Sequence, residues 1–290
     1  MASGLTAVPL AGELLDVAQA CGLDLGAALQ GDDDALRPTD VAQPALFLVE
    51  TVLAHALPAG LDVVAVAGHS VGELAAGAAA GAMTPAAGMR LVIERGRAMA
   101  SMREGTMSAL LGIDVEVAGQ VCEQAQRDSG EVVVVANMNA PGQTVISGTR
   151  AAVEAAASLA RARGARRAVP LNVSGAFHSP LMRDAAERFA AALEATELGS
   201  SRLPVVCNVD AEAVTDASAY RDRLRRQLTA PVRWIDCVER MIELGVELLV
   251  EVGPGAVLTG LARRIAPATR AVSVSTLEQA RSFEPAPAPA

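Results

Sequence analysis

The chain has 290 residues, of which 51% are hydrophobic and 2% aromatic, and this length suits one large domain or one with an inserted subdomain. Its formal net charge of -9 at pH 7 disfavours nucleic-acid binding, which needs a basic surface. No basic leader and no run of ~18 apolar residues is found, so we expect a cytoplasmic protein without a membrane span. No metal-site spacing of Cys and His occurs, and the four widely spaced cysteines indicate buried free thiols.

Hydrophobic periodicity predicts alternating helices and strands along most of the chain. The first part is predicted to be helical, with one or two helices over 11–30 and another over 44–57. The remaining predicted elements are, in chain order, strand 63–67, helix 74–80, helix 85–102, strand 107–112, helix 115–128, strand 132–136, strand 144–148, helix 150–164, strand 167–171, helix 180–195, strand 205–208, helices 218–228 and 234–244, strand 247–252 and helix 256–265.

The order of these elements indicates two folding units. Residues 106–170 have the order β-α-β-β-α-β, which is typical of a ferredoxin-like subdomain. The flanking segments, 1–105 and 171–280, alternate strands and helices, which favours a mainly parallel sheet in a three-layer α/β core. We therefore expect a small subdomain inserted into a larger α/β domain, followed by a disordered Pro- and Ala-rich tail over 281–290.

The most informative motif is Gly68-His69-Ser70-Val71-Gly72, which stands between a predicted strand and a predicted helix. This is the context of a nucleophile elbow, in which a sharp turn exposes a serine hydroxyl at a helix N-terminus. The alternative is an ordinary glycine-rich turn, but the flanking elements on both sides favour a nucleophile. Ser70 is therefore the candidate nucleophile, and the backbone N–H of Val71 is the natural first donor to an oxyanion.

A neutral serine needs an adjacent base, and the chain has three histidines. His55 lies on the helix before the elbow strand, where a structural role is expected. His69 adjoins the nucleophile in sequence, so the elbow directs it elsewhere, and contact with the substrate is one of its possible roles. His178 lies in a loop between a strand and a helix and is the best base by elimination, although a helix-capping histidine would occupy a similar loop.

Several further motifs together resemble the malonyl-CoA:acyl-carrier-protein transacylases and the acyltransferase domains of fatty-acid and polyketide synthases. They run in family order over about residues 20–277 and comprise Gly68-His69-Ser70-Val71-Gly72-Glu73, Glu94-Arg95-Gly96-Arg97, Asn139-Ala140-Pro141-Gly142-Gln143, Gly175-Ala176-Phe177-His178-Ser179-Pro180-Leu181-Met182, Arg226-Gln227-Leu228, Pro231-Val232-Arg233-Trp234 and Glu251-Val252-Gly253-Pro254-Gly255. The resemblance implies an α/β-hydrolase-like core with an inserted ferredoxin-like subdomain.

The resemblance also implies roles for individual residues. Ser70 would attack the thioester of malonyl-CoA, with His178 as general base and later general acid. A main-chain carbonyl, at the position of Gln227, would hold the second imidazole nitrogen of that histidine. Arg95 would bind the malonyl carboxylate through its planar guanidinium. The malonyl group would then pass to the phosphopantetheine thiol of an acyl carrier protein in a ping-pong reaction.

Three other residues are assigned to the substrate site in the same way. Val71 and the Phe177-His178-Ser179 sequence resemble malonyl-selective members of the family, and His69 and Asn139 belong to its motifs. The resemblance implies malonyl-CoA and acyl carrier protein as partners and no cofactor, and we expect a monomer.

The N-terminal part departs from the family. Its members begin with a strand and a Gly-Gln-Gly-Ser-Gln loop, whose glutamine donates a second N–H to the oxyanion, and this chain shows no such motif. Loss of one oxyanion donor lowers the rate by roughly 10²–10³. We therefore expect a weak or inactive transacylase, whose malonyl transfer would rise at least about tenfold with that strand and loop restored.

Two other classes of function fit the same elbow. A serine esterase or thioesterase would usually carry its histidine near the C-terminus and would not need Arg95. A non-catalytic docking protein would keep the fold and lack a complete oxyanion hole. Formation of a covalent adduct on Ser70 and the effect of replacing Arg95 discriminate between these possibilities.

Overall fold

The computed structural model describes residues 4–31 and 33–285. Its α-helices are α1 (Pro9–Ala20), α2 (Leu25–Gln30), α3 (Thr39–Ala56), α4 (Gly72–Ala80), α5 (Pro85–Ala100), α6 (Val115–Ser129), α7 (Arg150–Ala162), α8 (Arg183–Glu194), α9 (Ala217–Gln227), α10 (Trp234–Glu243), α11 (Val257–Ile265) and α12 (Leu277–Arg281). Its strands are β1 (Val66–Ala67), β2 (Thr106–Leu111), β3 (Val133–Ala140), β4 (Gln143–Gly148), β5 (Arg167–Pro170), β6 (Val205–Val206), β7 (Ala213–Val214), β8 (Leu248–Val252) and β9 (Arg270–Val274). Short 3₁₀ turns lie at Leu5–Ala7, Asp33–Leu36 and Pro180–Met182.

The larger part of the fold contains two small sheets. In one, β1 pairs in parallel with β6, and β6 pairs antiparallel with β7. In the other, β8 and β9 pair in parallel over five residues. Because side chains alternate across a strand, Val66 faces one apolar cluster while Ala65 and Ala67 face another. The strands of this part are therefore covered by helices on both faces.

The two clusters draw on different helices. The first contains buried side chains from the N-terminal helices together with α4, α5, α8 and α9, and Phe47 and Phe189 are among its largest members. The second is formed mainly by α10 and α11, with Trp234 and Leu261 packed against the opposite face. The elbow between β1 and α4 lies at the boundary of these layers.

Residues 106–170 form a separate sheet with its own core. The chain runs β2-α6-β3-β4-α7-β5, and the strands are hydrogen-bonded in the order β3-β4-β2-β5 with every pairing antiparallel. Helix α7 packs through Ala152, Val153, Ala156 and Ala160, whose spacing places them on one helical face. These residues share a buried cluster with Ile146 of β4, so α7 covers one face of this sheet.

Several elements differ from the sequence-based expectation. The strand predicted at 63–67 pairs only at Val66–Ala67, and Val63 and Val64 are exposed. Strands β7 and β9 and helix α12 were not predicted; β7 has two residues, and β9 and α12 have five each. The predicted tail begins at Arg281, the last residue of α12, and its residues 286–290 lie outside the described part of the chain.

Three further features bear on the expectations above. Among residues 4–31 and 33–285, no helix is long and apolar enough to cross a membrane. All four cysteines are free thiols, three of them buried and Cys21 partly exposed. The residues before α1 form the 3₁₀ turn Leu5–Ala7 and no strand within the described range.

Candidate active site

The elbow places Ser70 in a strained conformation between β1 and α4. Ser70 has a φ of 54°, in the left-handed region that residues with a Cβ rarely adopt. Gly68 permits the turn, because a Cβ there would lie 2.0 Å from the backbone of Gly72. The turn thereby presents the partly buried serine side chain at the start of α4, in the geometry of a nucleophile elbow.

The structure brings Ser70 and His178 into direct contact. The Oγ of Ser70 lies 2.7 Å from Nε2 of His178. The Nδ1 of His178 lies 3.0 Å from the carbonyl oxygen of Gln227 and 3.2 Å from that of Ala230. Carbonyl oxygens only accept hydrogen bonds, so Nδ1 carries the proton and Nε2 is left as the acceptor for the serine hydroxyl. This is the tautomer that a general base needs.

His178 is held neutral by its surroundings. It is buried and has a φ of 56°, so it is the second residue of the site in a left-handed conformation. Burial, followed by the nearby charge of Arg95, lowers the pKa of His178 to about 3. Its hydrogen bonds to the carbonyls of Gln227 and Ala230 act in the opposite direction. The imidazole is therefore uncharged at neutral pH, so its Nε2 carries a lone pair that faces the serine hydroxyl.

Arg95 projects from α5 into the same site. Its side chain is 1% exposed, and its Nη2 donates to Ser70 Oγ at 3.1 Å and to Oε1 of Gln227 at 2.9 Å. Its Nη1 donates to Oε1 of Gln43 at 2.5 Å. Burial lowers the pKa of Arg95 to about 10, which still leaves a cation at neutral pH. Within the described residues, this buried cation forms no salt bridge with a carboxylate.

Glu73 lies behind the nucleophile and is fully buried. Its Oε2 accepts from the backbone N–H of Asn208 at 3.0 Å and from Nε2 of Gln227 at 2.9 Å. Burial raises the pKa of Glu73 to about 7, opposed by these hydrogen bonds and by the charge of Arg95. Because Gln227 also donates to the carbonyl of Ser70 at 3.1 Å, its carboxamide links the elbow, the carboxylate and the guanidinium.

The remaining predicted residues surround this centre. The N–H of Val71, at the start of α4, donates to no group in the part of the chain that the structure describes, so it is free to meet an oxyanion.

His69 and Asn139 form a pair, in which Nε2 of the imidazole lies 2.9 Å from Oδ1 of the amide. The His69 ring also packs edge-on against the Trp234 ring, with 5.4 Å between the ring centroids. Burial lowers the pKa of His69. His55, in contrast, is exposed on α3, where Nδ1 of its imidazole lies 2.9 Å from the carbonyl oxygen of Thr51.

Sequence reasoning missed two residues of this network. Gln43, on α3, orients the guanidinium of Arg95, and Asn208, after β6, contacts the elbow backbone. Neither carries a distinctive spacing, since a single amide near a helix start or a strand end is common. The only available signals were the position of Gln43 directly before Pro44 and that of Asn208 two residues beyond the last residue of β6. Within the described ranges, no group of three or more His, Cys, Asp or Glu side chains is arranged to hold a metal ion.

Comparison with known proteins places this geometry in a family. Residues 15–280 match the acyl transferase domain family. The chain is 40% identical to the malonyl CoA-acyl carrier protein transacylase of Bacillus subtilis over 86% of this chain and 80% of that protein. It is 42% identical to the transacylase of the same name from Salmonella typhimurium, over 93% of this chain and 86% of that protein.

Solved structures agree with the sequence matches. A malonyl-transacylase in complex with the holo acyl-carrier protein of a type II PKS superposes with a TM-score of 0.90 at 38% identity, covering 97% of this chain and 94% of that one. The Coxiella burnetii malonyl CoA-acyl carrier protein transacylase superposes with a TM-score of 0.88 at 34% identity, covering 94% and 88% of the two chains. The chain therefore belongs to the acyl transferase domain family, together with the malonyl CoA-acyl carrier protein transacylases.

Proposed function

We propose that this protein transfers a malonyl group from malonyl-CoA to the phosphopantetheine thiol of an acyl carrier protein through a malonyl-Ser70 intermediate. The observation that carries the proposal is the buried guanidinium of Arg95, which lies 3.1 Å from the Oγ of Ser70 and forms no salt bridge within the described residues. The buried carboxyl of Glu73 acts on Arg95 through its charge but forms no direct ion pair with it. A buried guanidinium whose hydrogen-bond partners are all neutral favours an anionic substrate group at this position. A guanidinium accommodates a carboxylate through two parallel hydrogen bonds.

The first half-reaction follows from the contacts around the nucleophile. The Ser70 hydroxyl gives its proton to Nε2 of His178 while its oxygen attacks the thioester carbonyl carbon. The carbonyl electron pair moves onto oxygen, where the N–H of Val71 donates to it. Reforming the carbonyl breaks the carbon–sulfur bond, and the departing thiolate takes the proton from His178. The products are malonyl-Ser70 and free CoA.

The second half-reaction uses the same groups in reverse. The phosphopantetheine thiol of the carrier protein gives its proton to His178, and its sulfur attacks the ester carbonyl of malonyl-Ser70. Collapse of the tetrahedral intermediate returns the proton to Ser70 and releases the malonylated carrier. Arg95 holds the malonyl carboxylate in both halves, so the same acyl group remains in place while the thiol partners exchange.

Binding of the carboxylate also improves the base. The charge of Arg95 is one of the causes that lower the pKa of His178. A malonyl carboxylate against the guanidinium offsets that charge, so the pKa of His178 rises toward the value at which it accepts the serine proton most readily. The carboxylate of the correct substrate thereby activates the nucleophile that attacks it.

The finer fold description is part of this proposal. We propose an α/β-hydrolase-like core from 1–105 and 171–280 and a ferredoxin-like subdomain over 106–170. The subdomain is supported by its β-α-β-β-α-β order and by the antiparallel sheet β3-β4-β2-β5. The core is supported by the strand, elbow and helix around Ser70 and by helices on both faces of its strands.

The remaining expectations stay predictions. We propose malonyl selectivity through Val71, substrate contact by His69 and Asn139, a monomer that uses no cofactor of its own, and a cytoplasmic location supported by the four free thiols.

The proposal is tested by incubating the protein with malonyl-CoA and a holo acyl carrier protein. We expect malonyl carrier protein to accumulate, with free CoA released in equal amount. The Ser70→Ala variant should form none. Release of CoA with free malonate and no malonyl carrier protein would instead indicate a hydrolase, and no release of CoA at all would contradict catalysis.

A further inference from the structure

The side chain of Asn208 contacts the elbow from the neighbouring strand. It is fully buried, its Oδ1 accepts the backbone N–H of Ser70 at 2.7 Å, and its Nδ2 donates to the carbonyl of Gly68 at 2.8 Å. The two bonds span the residues on either side of His69. The carboxamide of Asn208 therefore holds the backbone of the turn at two points.

These bonds continue the parallel ladder that the elbow interrupts. Strands β1 and β6 pair at Val66↔Val205 and Ala67↔Val206, after which both chains turn away. The chain after β6 folds back toward β7, and the N–H of Cys207 donates to Glu212. A side-chain carboxamide offers an N–H donor and a carbonyl acceptor, as the backbone of a residue on a neighbouring parallel strand does, so Asn208 replaces the next backbone partner of β1.

Asn208 is itself fixed by its backbone. Its N–H donates to Oε2 of Glu73 at 3.0 Å, and its carbonyl accepts the N–H of Arg233 at 2.9 Å. Glu73 lies in the first turn of α4, so the strand end and the helix that flank Ser70 are joined through one residue. The orientation of the carboxamide is thus determined on both sides.

This contact has two consequences for Ser70. Its φ of 54° is unfavourable for a residue with a Cβ, and the bond from its N–H to Asn208 holds it there. That N–H is also occupied, so the donor that remains for an oxyanion is the N–H of Val71. The direction of the serine hydroxyl toward His178 depends on the same backbone conformation.

We propose that Asn208 is a positioning residue, which fixes the conformation of Ser70 and directs its hydroxyl to His178 and the N–H of Val71 to the oxyanion. The inference rests on the proposed function only in that Ser70 is taken as the nucleophile. It assigns to Asn208 no contact with the substrate.

The test measures the reactivity of Ser70 with a fluorophosphonate probe, which labels activated serines whatever their natural substrate. In Asn208→Ala we expect the labelling rate constant to fall roughly 100-fold, the scale of loss that a displacement of about 1 Å produces. Malonyl-CoA binding, measured by calorimetry in the Ser70→Ala background, should change less than about twofold when Asn208→Ala is added, since Asn208 acts through Ser70.

A pH profile separates positioning from a general effect on folding. In Asn208→Asp, the protonated carboxyl reproduces both bonds, whereas the ionised form cannot donate to Gly68. The labelling rate of Asn208→Asp relative to wild type should therefore rise as the pH is lowered from 8 to 5.5. The matched control is Val153→Ala at a buried position of α7, which we expect to lower the melting temperature and to leave the labelling rate unchanged.

An Asn208→Ala protein that labels at the wild-type rate, or an Asn208→Asp ratio that is independent of pH, would overturn the proposal. A wild-type protein that the fluorophosphonate probe does not label would also overturn it. Wild-type protein that is labelled by the probe and not malonylated by malonyl-CoA would reject the proposed function alone, leaving the comparison of the Asn208 variants valid.

Discussion

Arg95 donates from Nη2 to the Oγ of Ser70 across 3.1 Å, so a buried cation lies directly beside the nucleophile. The other hydrogen-bond partners of the guanidinium are the neutral amides of Gln43 and Gln227. These neutral partners orient the guanidinium, and the buried carboxyl of Glu73 acts on it through its charge without a direct ion pair. The site is therefore prepared for an acyl group that brings its own negative charge within reach of the serine.

Replacing Arg95 should change which acyl group is transferred. In Arg95→Ala we expect kcat/KM for malonyl-CoA to fall by roughly 10²–10³, because a buried charge-assisted pair is lost. Transfer from acetyl-CoA should remain or increase, because the acetyl group needs no cation. Steady-state kinetics with both thioesters measure this. Equal losses for the two substrates would contradict the assignment of Arg95 to the carboxylate.

Gln43 should affect malonyl binding through Arg95. Gln43→Leu removes the acceptor of Nη1 and leaves the guanidinium free to move from the serine. We expect KM for malonyl-CoA to rise roughly tenfold, which corresponds to ~1.4 kcal/mol, with a smaller change for acetyl-CoA. The control is Gln19→Leu on α1, an exposed position outside this network. A KM that is unchanged in Gln43→Leu would show that Gln227 and the protein packing suffice to hold Arg95.

Glu50 should make folding stability depend on pH. It lies on α3 against Gly253, and burial, followed by the charge of Glu251, raises its pKa from 4.5 to about 8. Between those values the folded protein keeps a proton that the unfolded chain has lost, so stability falls as the pH rises through this window. Glu50→Gln should therefore melt higher than wild type at pH 8, and this difference should shrink toward pH 4.5.

The melting curves of Glu50→Gln require a surface control. Glu154→Gln removes one carboxylate from an exposed position beyond the first turn of α7 and reports the effect of losing one surface charge. A melting-temperature difference for Glu50→Gln that is the same at pH 5 and pH 8 would contradict the protonation of Glu50 in the folded protein.

Gly68 should be indispensable for the elbow. A Cβ at Gly68 would lie 2.0 Å from the backbone of Gly72, and neither segment has a flexible side chain there to move aside. We expect Gly68→Ala to lose malonyl transfer and to unfold at a lower denaturant concentration. In Gly119→Ala, where α6 leaves open space, stability should be equal or up to ~1 kcal/mol higher. Wild-type activity in Gly68→Ala would show that the turn tolerates a different path.

The sequence predicted the parts of the site that depend on local pattern. A strand, a Gly-x-Ser-x-Gly turn and a helix identified Ser70, and elimination among three histidines selected His178, which the structure places 2.7 Å from it. Arg95 was assigned through the family resemblance alone, because an arginine on a helix carries no signal of burial. The structure then places it 1% exposed in the same site.

Contacts between distant segments were not predictable in this way. Gln43 is 52 positions away in the sequence from Arg95, which it contacts. Asn208 is 138 positions away from Ser70, which it contacts. An amide side chain has no charge or periodicity that marks its partner, so only the tertiary fold reveals it. Similarly, β9 has only five residues, and its register with β8 depends on α11 bringing the two strands together.

The most direct test of the account is the intact mass of the protein after brief mixing with malonyl-CoA. We predict a mass increase of one malonyl group on Ser70, identified by peptide fragmentation, absent in Ser70→Ala and lost again when a holo acyl carrier protein is added. A protein that keeps its unmodified mass under these conditions, or whose adduct lies on another residue, would contradict the central claim that Ser70 carries the acyl group.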